Sequence, residues 1–181
     1  VSTTTERMPV VTGEWVGDPT HSAIGFQVLY MGIAPFEGTF REFAATLDEA
    51  GLRGTASASS IDVDNEQLAG HLASPDFFDT ANHPEVSFEG GPVLAGSDGT
   101  VVVEGSLVVK GHSAPVTLTG TLTEPVSDPY GNTKRGLTLS GKVDRTRLGL
   151  TWNAPLPEGG TMLADEVELS ASLLFVAAGE R

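Results

Sequence analysis

Long stretches of strict two-residue alternation constrain this chain most, because period two fixes both the presence of strands and which residues share a face. Val116, Leu118, Gly120 and Leu122 alternate with Thr117, Thr119, Thr121 and Thr123. Leu137, Leu139, Gly141 and Val143 alternate with Thr138, Ser140 and Lys142, and Val167, Leu169, Ala171, Leu173 and Phe175 with Glu166, Glu168, Ser170 and Ser172. Val101, Val103, Gly105, Leu107 and Val109 repeat the pattern on an earlier stretch, and Ala56 and Ala58 extend it further back. One apolar and one solvated face per strand is the pattern of antiparallel sheet covered on one side only. The strands expected here are Glu85 to Gly90, Thr100 to Lys110, Pro115 to Pro125, Gly136 to Arg145 and Glu166 to Ala177. Turn residues punctuate them at Ser97-Asp98-Gly99, Gly111-His112-Ser113, Asp128-Pro129-Tyr130-Gly131-Asn132 and Pro157-Glu158-Gly159-Gly160, and these connections are short enough for antiparallel neighbours.

The N-terminal part extends the sheet. Val1 to Thr12 is polar and aperiodic and reads as a flexible tail, so one domain is expected over residues 13–178. Gly13 to Val16 reads as a short strand. His21 to Met31 is a longer one with Ile24, Phe26, Val28 and Tyr30 on one face, and Gly38, within Phe36 to Phe43, is placed at a bulge or kink. Ala44 to Glu49 and Leu52 to Val63 follow, joined by an acidic turn. One stretch breaks the pattern: from Asp64 onward, an Asp64 cap with Gln67 three residues later opens a short helix whose apolar stripe is Leu68 and Leu72. Ser74 and Pro75 suggest a second turn from Pro75 to Phe78. Of Phe77 and Phe78, at least one should plug the interior. The expected fold is all-β, an antiparallel barrel of about eight strands with a short helical insertion at about residues 64–80.

Whether that barrel is hollow stays open on pattern alone. Small residues in the middle of several inward faces leave room for one elongated apolar ligand. Glycine in a strand equally marks a bulge, a barrel corner or a close backbone approach.

Composition excludes several functions. With 24 acidic against 10 basic residues, a net charge of -14 and no lysine or arginine cluster, the chain lacks the electrostatics that hold nucleic acid or anionic headgroups. With no cysteine there is no thiolate nucleophile or cysteine metal site. No apolar run is long enough for a membrane helix, so stable membrane insertion is not expected. The opening residues carry neither a basic start nor an apolar centre, which favours the cytoplasm, or the periplasm or exterior if a leader has been removed. His21, His71, His83 and His112 fall in four segments without metal-ligand spacing. His21 and His83 read as turn hydrogen-bonders and His71 as a polar helix residue. Asp64, Glu66, Asp76 and Asp79 read as capping and dipole partners. There is no nucleophile elbow and no phosphate-cradling loop. No catalytic residue, metal or cofactor is expected.

The motifs resemble, in order, those of the YceI-like family of lipocalin-fold proteins. They are Asp18-Pro19-Thr20-His21-Ser22-Ala23-Ile24-Gly25-Phe26, the Phe36 to Phe43 stretch, Asp64 to Asp79, Pro84-x-Val86-x-Phe88, Lys110 to Val116, Asp128 to Asn132, Arg145-x-x-Leu148-Gly149-Leu150-x-Trp152-Asn153 and Asp165-Glu166-Val167. The resemblance spans about Trp15 to Phe175. Tyr30 departs from it, standing where many members carry histidine, as does Ala164, which replaces a common glycine. It implies a lipocalin-like barrel whose interior takes a long apolar or amphiphilic chain, polyisoprenoids and isoprenoid quinones being the usual examples, and members that are often dimeric.

The function expected is therefore non-catalytic binding, sequestration or carriage of a polyisoprenoid, isoprenoid quinone or fatty-acyl chain. Its partners would be that apolar ligand and a second copy of the chain, with no nucleic acid. The residues expected to touch the ligand are Phe26, Val28, Tyr30, Phe40, Phe43 and Phe88 from the early strands, and Leu118, Leu139, Leu169 and Leu173 from the later ones. Leu68, Leu72 and Phe78 join them from the helical stretch, which would form a lid, and Trp152 completes the set. Tyr30 and the polar groups near Asn153 are candidates for orienting a head group. The alternatives are a packed-core structural or stress-related interaction module, and an enzyme acting on a lipid or small metabolite at the barrel mouth.

Overall fold

In the computed structural model, which describes residues 7–179, the alternating stretches form one antiparallel sheet that closes on itself. The elements in chain order are β1 (Met8–Pro9), β2 (Trp15–Gly17), β3 (Ala23–Tyr30), β4 (Ala34–Phe40), β5 (Phe43–Asp48), β6 (Gly51–Ser57), β7 (Ile61–Asp62), α1 (Glu66–Ala73), β8 (Glu85–Gly90), β9 (Leu94–Ala95), β10 (Val101–Val109), β11 (His112–Leu122), β12 (Val126–Ser127), β13 (Thr133–Asp144) and β14 (Leu163–Ala177). Three walls of the barrel are interrupted strands, namely β2 with β3, β4 with β5 and β6 with β7. These three, followed by β8, β10, β11, β13 and β14, make eight walls in sequence order, and β14 closes the ring by pairing with β13 on one side and with β2 and β3 on the other. An all-β barrel of eight antiparallel walls with one short helix is the fold expected above; the ladders close the ring but thin toward the mouth, where β11 meets β13 only from Thr119 to Leu122 and β4 meets β7 only at Thr39 and Phe40.

Several boundaries move for identifiable reasons. The hairpin between β10 and β11 turns at Lys110 and Gly111, both at positive φ (54° and 75°), as a two-residue hairpin of the favoured twist requires. The expected turn at Gly111-His112-Ser113 is thus early in β11. Gly38 is not a kink: it pairs in register with Phe26, and the strand bends at Arg41 and Glu42, where the Arg41 amide reaches the Ser60 carbonyl at 3.0 Å and the Ser57 amide reaches Glu42 at 2.9 Å. Helix α1 is capped by Asn65, whose Oδ1 accepts from the Leu68 amide at 3.1 Å, rather than by Asp64. Pro75 to Phe78 forms hydrogen-bonded turns, not helix. The Ser74 hydroxyl donates back to His71 instead of capping a second turn. Of the expected flexible tail, residues 1–6 lie outside the described residues. The rest does not run free: β1 pairs with β9, the Val10 amide reaches Val93, and Val11 is buried.

The two ends of the barrel differ. At the end holding β2 and the finish of β14, Trp15, Leu47, Leu137 and Phe175 are buried and fill the interior. There the Arg135 guanidinium lies 5.2 Å from the centre of the Trp15 ring and donates to the Thr123 carbonyl through Nε and Nη2 at 3.3 and 3.1 Å. Such a cation over an aromatic face, with two of its nitrogens donating to a carbonyl, closes this end. The opposite end carries the β3–β4 hairpin, α1, the 110–111 turn and residues 145–162, and it is open.

Inward glycines do something other than leave simple vacancies. A Cβ on Gly120 would run into the Thr138 carbonyl, and one on Gly141 would sit 2.6 Å from the Thr117 oxygen. These are close backbone approaches where the sheet coils to close. At Gly38 the space a Cβ would need is taken by a ring, with Phe26 Cζ 2.6 Å away, and at Gly105 it is taken by the Glu89 carbonyl oxygen at 2.5 Å together with Phe88 Cζ at 2.7 Å. The two phenylalanines lie over glycines of neighbouring strands, along the wall instead of across the lumen.

Candidate functional site

The open end leads into a cavity of about 650 Å³. Its walls come from every side of the barrel, because period-two alternation turns one face of each strand inward. All fourteen residues expected to meet a ligand line this one space. Phe26, Val28, Phe40, Phe43 and Phe88 form one side, and Leu118, Leu139, Leu169 and Leu173 the other. Leu68, Leu72 and Phe78 cover it from α1 and the segment after it, while Tyr30 and Trp152 stand at the rim. A packed-core barrel would need these side chains to fill the interior, and they leave it hollow.

The lid is held by rings. Phe78 is buried, with its ring centre 6.3 Å from that of Phe26 and 5.9 Å from that of Phe40, edge-on to the latter. Phe77 is buried as well, on the other side of the turn, in a three-ring contact with His71 (4.9 Å) and Trp152 (5.4 Å). His71 lies 4.8 Å from Trp152, nearly perpendicular to it, and its Nε2 meets Asp76 Oδ2 at 3.2 Å. His71 is therefore not a free polar helix residue: it ties the helix to the 149–162 segment across the mouth. Edge-to-face aromatic pairs of this kind contribute about 0.5–1.5 kcal/mol each beyond their burial. The spacing of α1 showed Leu68 and Leu72, but nothing local in the sequence joined His71 to Trp152.

Arg145, missed as a site residue, also borders the cavity. It is buried, and its Nε donates to the Ala164 carbonyl at 2.8 Å while Nη1 donates to Leu150 at 2.5 Å and Trp152 at 2.9 Å. Nη2 makes no hydrogen bond among the described residues and lies 3.7 Å from Asp165 Oδ1. Burial pushes its guanidinium pKa down, opposed by Asp165 and Asp144. Its planar fork staples the mouth segment to the start of β14. Asn153, expected to be available for a head group, is used in the same segment: its Nδ2 donates to Leu163 at 2.7 Å and its Oδ1 accepts from the Ala154 and Leu163 amides, each at 2.9 Å. Tyr30 remains at the rim, 42% exposed. Other inward residues that sequence reasoning left out of the site, Phe36, Val86 and Leu107 among them, follow the same alternation and were legible in principle.

The other histidines do not converge. His21 pairs with Asp18 at 2.7 Å away from the mouth, His112 packs its ring over Gly149, and His83 lies beside Gly111. Among the described residues no three His, Asp or Glu side chains gather in a way that would hold a metal ion.

A closed eight-walled antiparallel barrel with a lidded apolar interior defines a lipocalin-like protein. Residues 15–175 match the model of the YceI-like domain, and the chain belongs to the YceI-like family. It is 31% identical over 166 residues to a UPF0312 protein of Staphylococcus epidermidis, covering 87% of this chain and 94% of that one. A UPF0312 protein of Staphylococcus aureus is 30% identical over 169 residues with the same coverage. Among solved structures, BcnA of Burkholderia cenocepacia superposes with a TM-score of 0.67 at 19% identity, over 87% of this chain and 98% of that one. A polyisoprenoid-binding domain from Saccharophagus degradans, implicated in plant cell wall breakdown, gives 0.65 at 12% identity, over 90% and 98%. At these identities the structural matches speak for the fold.

Proposed function

We propose that this protein is a non-catalytic carrier in which one polyisoprenoid, isoprenoid-quinone or fatty-acyl chain lies inside the barrel with its polar end at the mouth. The observation that carries this reading is the cavity: about 650 Å³, within the roughly 300–1,000 Å³ of ligand sites, and lined predominantly by aliphatic and aromatic side chains. At about 30 Å³ for a group of water or methylene size, the space holds on the order of twenty carbons. Each methylene taken from water contributes about 0.8 kcal/mol before the cost of ordering the chain is subtracted. Membership of the YceI-like family and the likeness to a polyisoprenoid-binding domain support the same ligand class. Two of the polar side chains that border the cavity are engaged in holding its mouth together, His71 with Asp76 and Arg145 with three carbonyls. Carriage needs nothing more of them than that.

The test is mass spectrometry of an organic extract of protein purified from its natural host, alongside titration of the emptied protein with geranylgeraniol. Stoichiometric lipid in the extract, or saturable uptake at one chain per barrel, is the expected result. Absence of both overturns the proposal.

A further inference from the structure

From Ile24 to Phe36 the chain has no charged side chain, and the tip of this run is the β3–β4 hairpin at the cavity mouth. Ile33 is 81% exposed there, and Leu29, Tyr30 and Met31 are 40–44% exposed. The tip is built to stand out: the Ile33 amide closes the turn on Tyr30 at 3.0 Å, and the Met31 amide is tied to the Met162 carbonyl at 2.7 Å. Tyr30, Ala34 and Pro35 line the cavity, whereas Leu29, Met31 and Ile33 do not. Apolar surface thus runs without a break from the inner wall, over the rim, onto the outside. The remaining large exposed apolar residues, Met8, Val10, Val16, Val126 and Tyr130, are on elements of the closed end.

We infer that this hairpin docks the mouth onto an electrically neutral lipid bilayer, so that a chain passes between membrane and cavity without crossing water. The inference rests on the chain-carrying reading above. A second copy of the chain is the competing occupant, but four side chains on a narrow convex tip fall well short of the roughly 800 Å² per partner that a stable protein interface covers. A convex apolar tip instead suits the boundary between headgroups and acyl chains, which amphipathic elements enter by about 5–10 Å. Tyr30, with an apolar ring and a polar end, is the residue type enriched at that depth. The charge around the mouth selects the lipid. Residues 63–84 and 149–162 carry Asp64, Glu66, Asp76, Asp79 and Glu158 and no lysine or arginine. Of the basic residues at this end, Arg145 is buried and Lys142 pairs with Glu166 at 3.2 Å, so Lys110, whose Nζ donates to the Pro75 carbonyl, and Arg147 face these five carboxylates. Such a collar repels anionic headgroups.

The experiment follows a pyrene-labelled hexadecanol from phosphatidylcholine vesicles into the protein, with vesicle flotation in parallel, for the wild type and for the double variant Met31→Asp, Ile33→Glu. Neither substituted side chain lines the cavity, and uptake of geraniol supplied as aqueous monomer reports whether the variant barrel is intact. The wild type is expected to float with the vesicles, less so when phosphatidylglycerol is added at low salt. Its transfer rate should rise with vesicle concentration and fall at least about tenfold in the variant, as two large apolar side chains lose their burial, with geraniol uptake unchanged. Transfer at the wild-type rate in the variant, or a rate independent of vesicle concentration, overturns the inference. So does a concentration-dependent dimer that the substitutions dissociate while flotation is unaffected. If no chain enters the wild-type barrel from either source, the carrier reading fails, and flotation alone decides docking: binding abolished by the substitutions supports it, and none overturns it.

Discussion

Arg145 places a full charge at 3% exposure beside an apolar cavity, which is tolerable because three backbone carbonyls of the mouth meet its fork. A lysine keeps the charge but not the planar array of donors. Arg145→Lys is therefore expected to lower stability by about 3 kcal/mol, since each buried carbonyl left unpaired costs about 1–3 kcal/mol. Trp152, whose carbonyl it holds, should then shift its fluorescence to the red. Denaturant unfolding and an emission spectrum check both. Gly38 makes the opposite point, through space that must stay empty of its own atoms. Gly38→Val would drive the Phe26 ring off the wall and into the lumen, costing roughly 1–3 kcal/mol from overpacking and reducing uptake of geranylgeraniol, read by thermal melting and by titration. That role for glycine could not be read from the alternating sequence. A small residue in an inward row signals room, curvature or a place for a neighbour's ring, and only the cross-strand register of Phe26 with Gly38 separates them.

Among the elements, the turn after α1 was partly legible. Two adjacent phenylalanines implied that at least one would plug the interior. Both are buried, because the turn lets Phe78 face the barrel while Phe77 packs on His71 and Trp152. The cap shifted from Asp64 to Asn65 because both side chains can accept from a first-turn amide and the pattern does not rank them. Phe78→Ala should cost about 3–5 kcal/mol, as for other buried phenylalanines, and release a bound chain faster, measured by displacement kinetics. At the closed end, the Asp128 to Asn132 turn is organised by one carboxylate. Asp128 Oδ1 accepts from the Asn132 and Tyr130 amides at 2.9 and 2.8 Å, and Lys134 Nζ meets Oδ2 at 3.1 Å. These bonds, the Asn132 amide foremost, hold its pKa down to about 2 from 3.8. The folded state therefore binds its proton less readily than the unfolded state. The stabilisation is complete above pH 3.8 and is lost as pH falls through about 2. Asp128→Ala should reduce stability at neutral pH, and its difference from the wild type should vanish toward pH 2, followed by denaturation at a series of pH values.

For the molecule as a whole, alternation in the sequence was sufficient to place the walls and their inward faces, but it left open whether the barrel is hollow, and Leu68, Leu72, Phe78 and Trp152 reach the cavity from outside the alternating strands. Contacts between elements far apart in the chain were not legible: Arg135 over Trp15 at the closed end, His71 against Trp152 across the mouth, and Arg145 gathering the segment between β13 and β14. Periodicity reports which way a side chain points from its own element, whereas these contacts depend on how strands are staggered around the ring. Rings pack against one another around the lid and mouth, a cation over Trp15 closes the other end, and the space between is hollow, which is the basis for reading the barrel as a carrier. Native mass spectrometry of the emptied protein with geranylgeraniol, comparing the wild type with Ala171→Phe, tests that reading most directly, because Ala171 lines the cavity and a ring there occupies the space of the chain. The wild type should take up one chain per barrel and the folded variant markedly less. Equal uptake by both, or uptake by neither, would contradict the account.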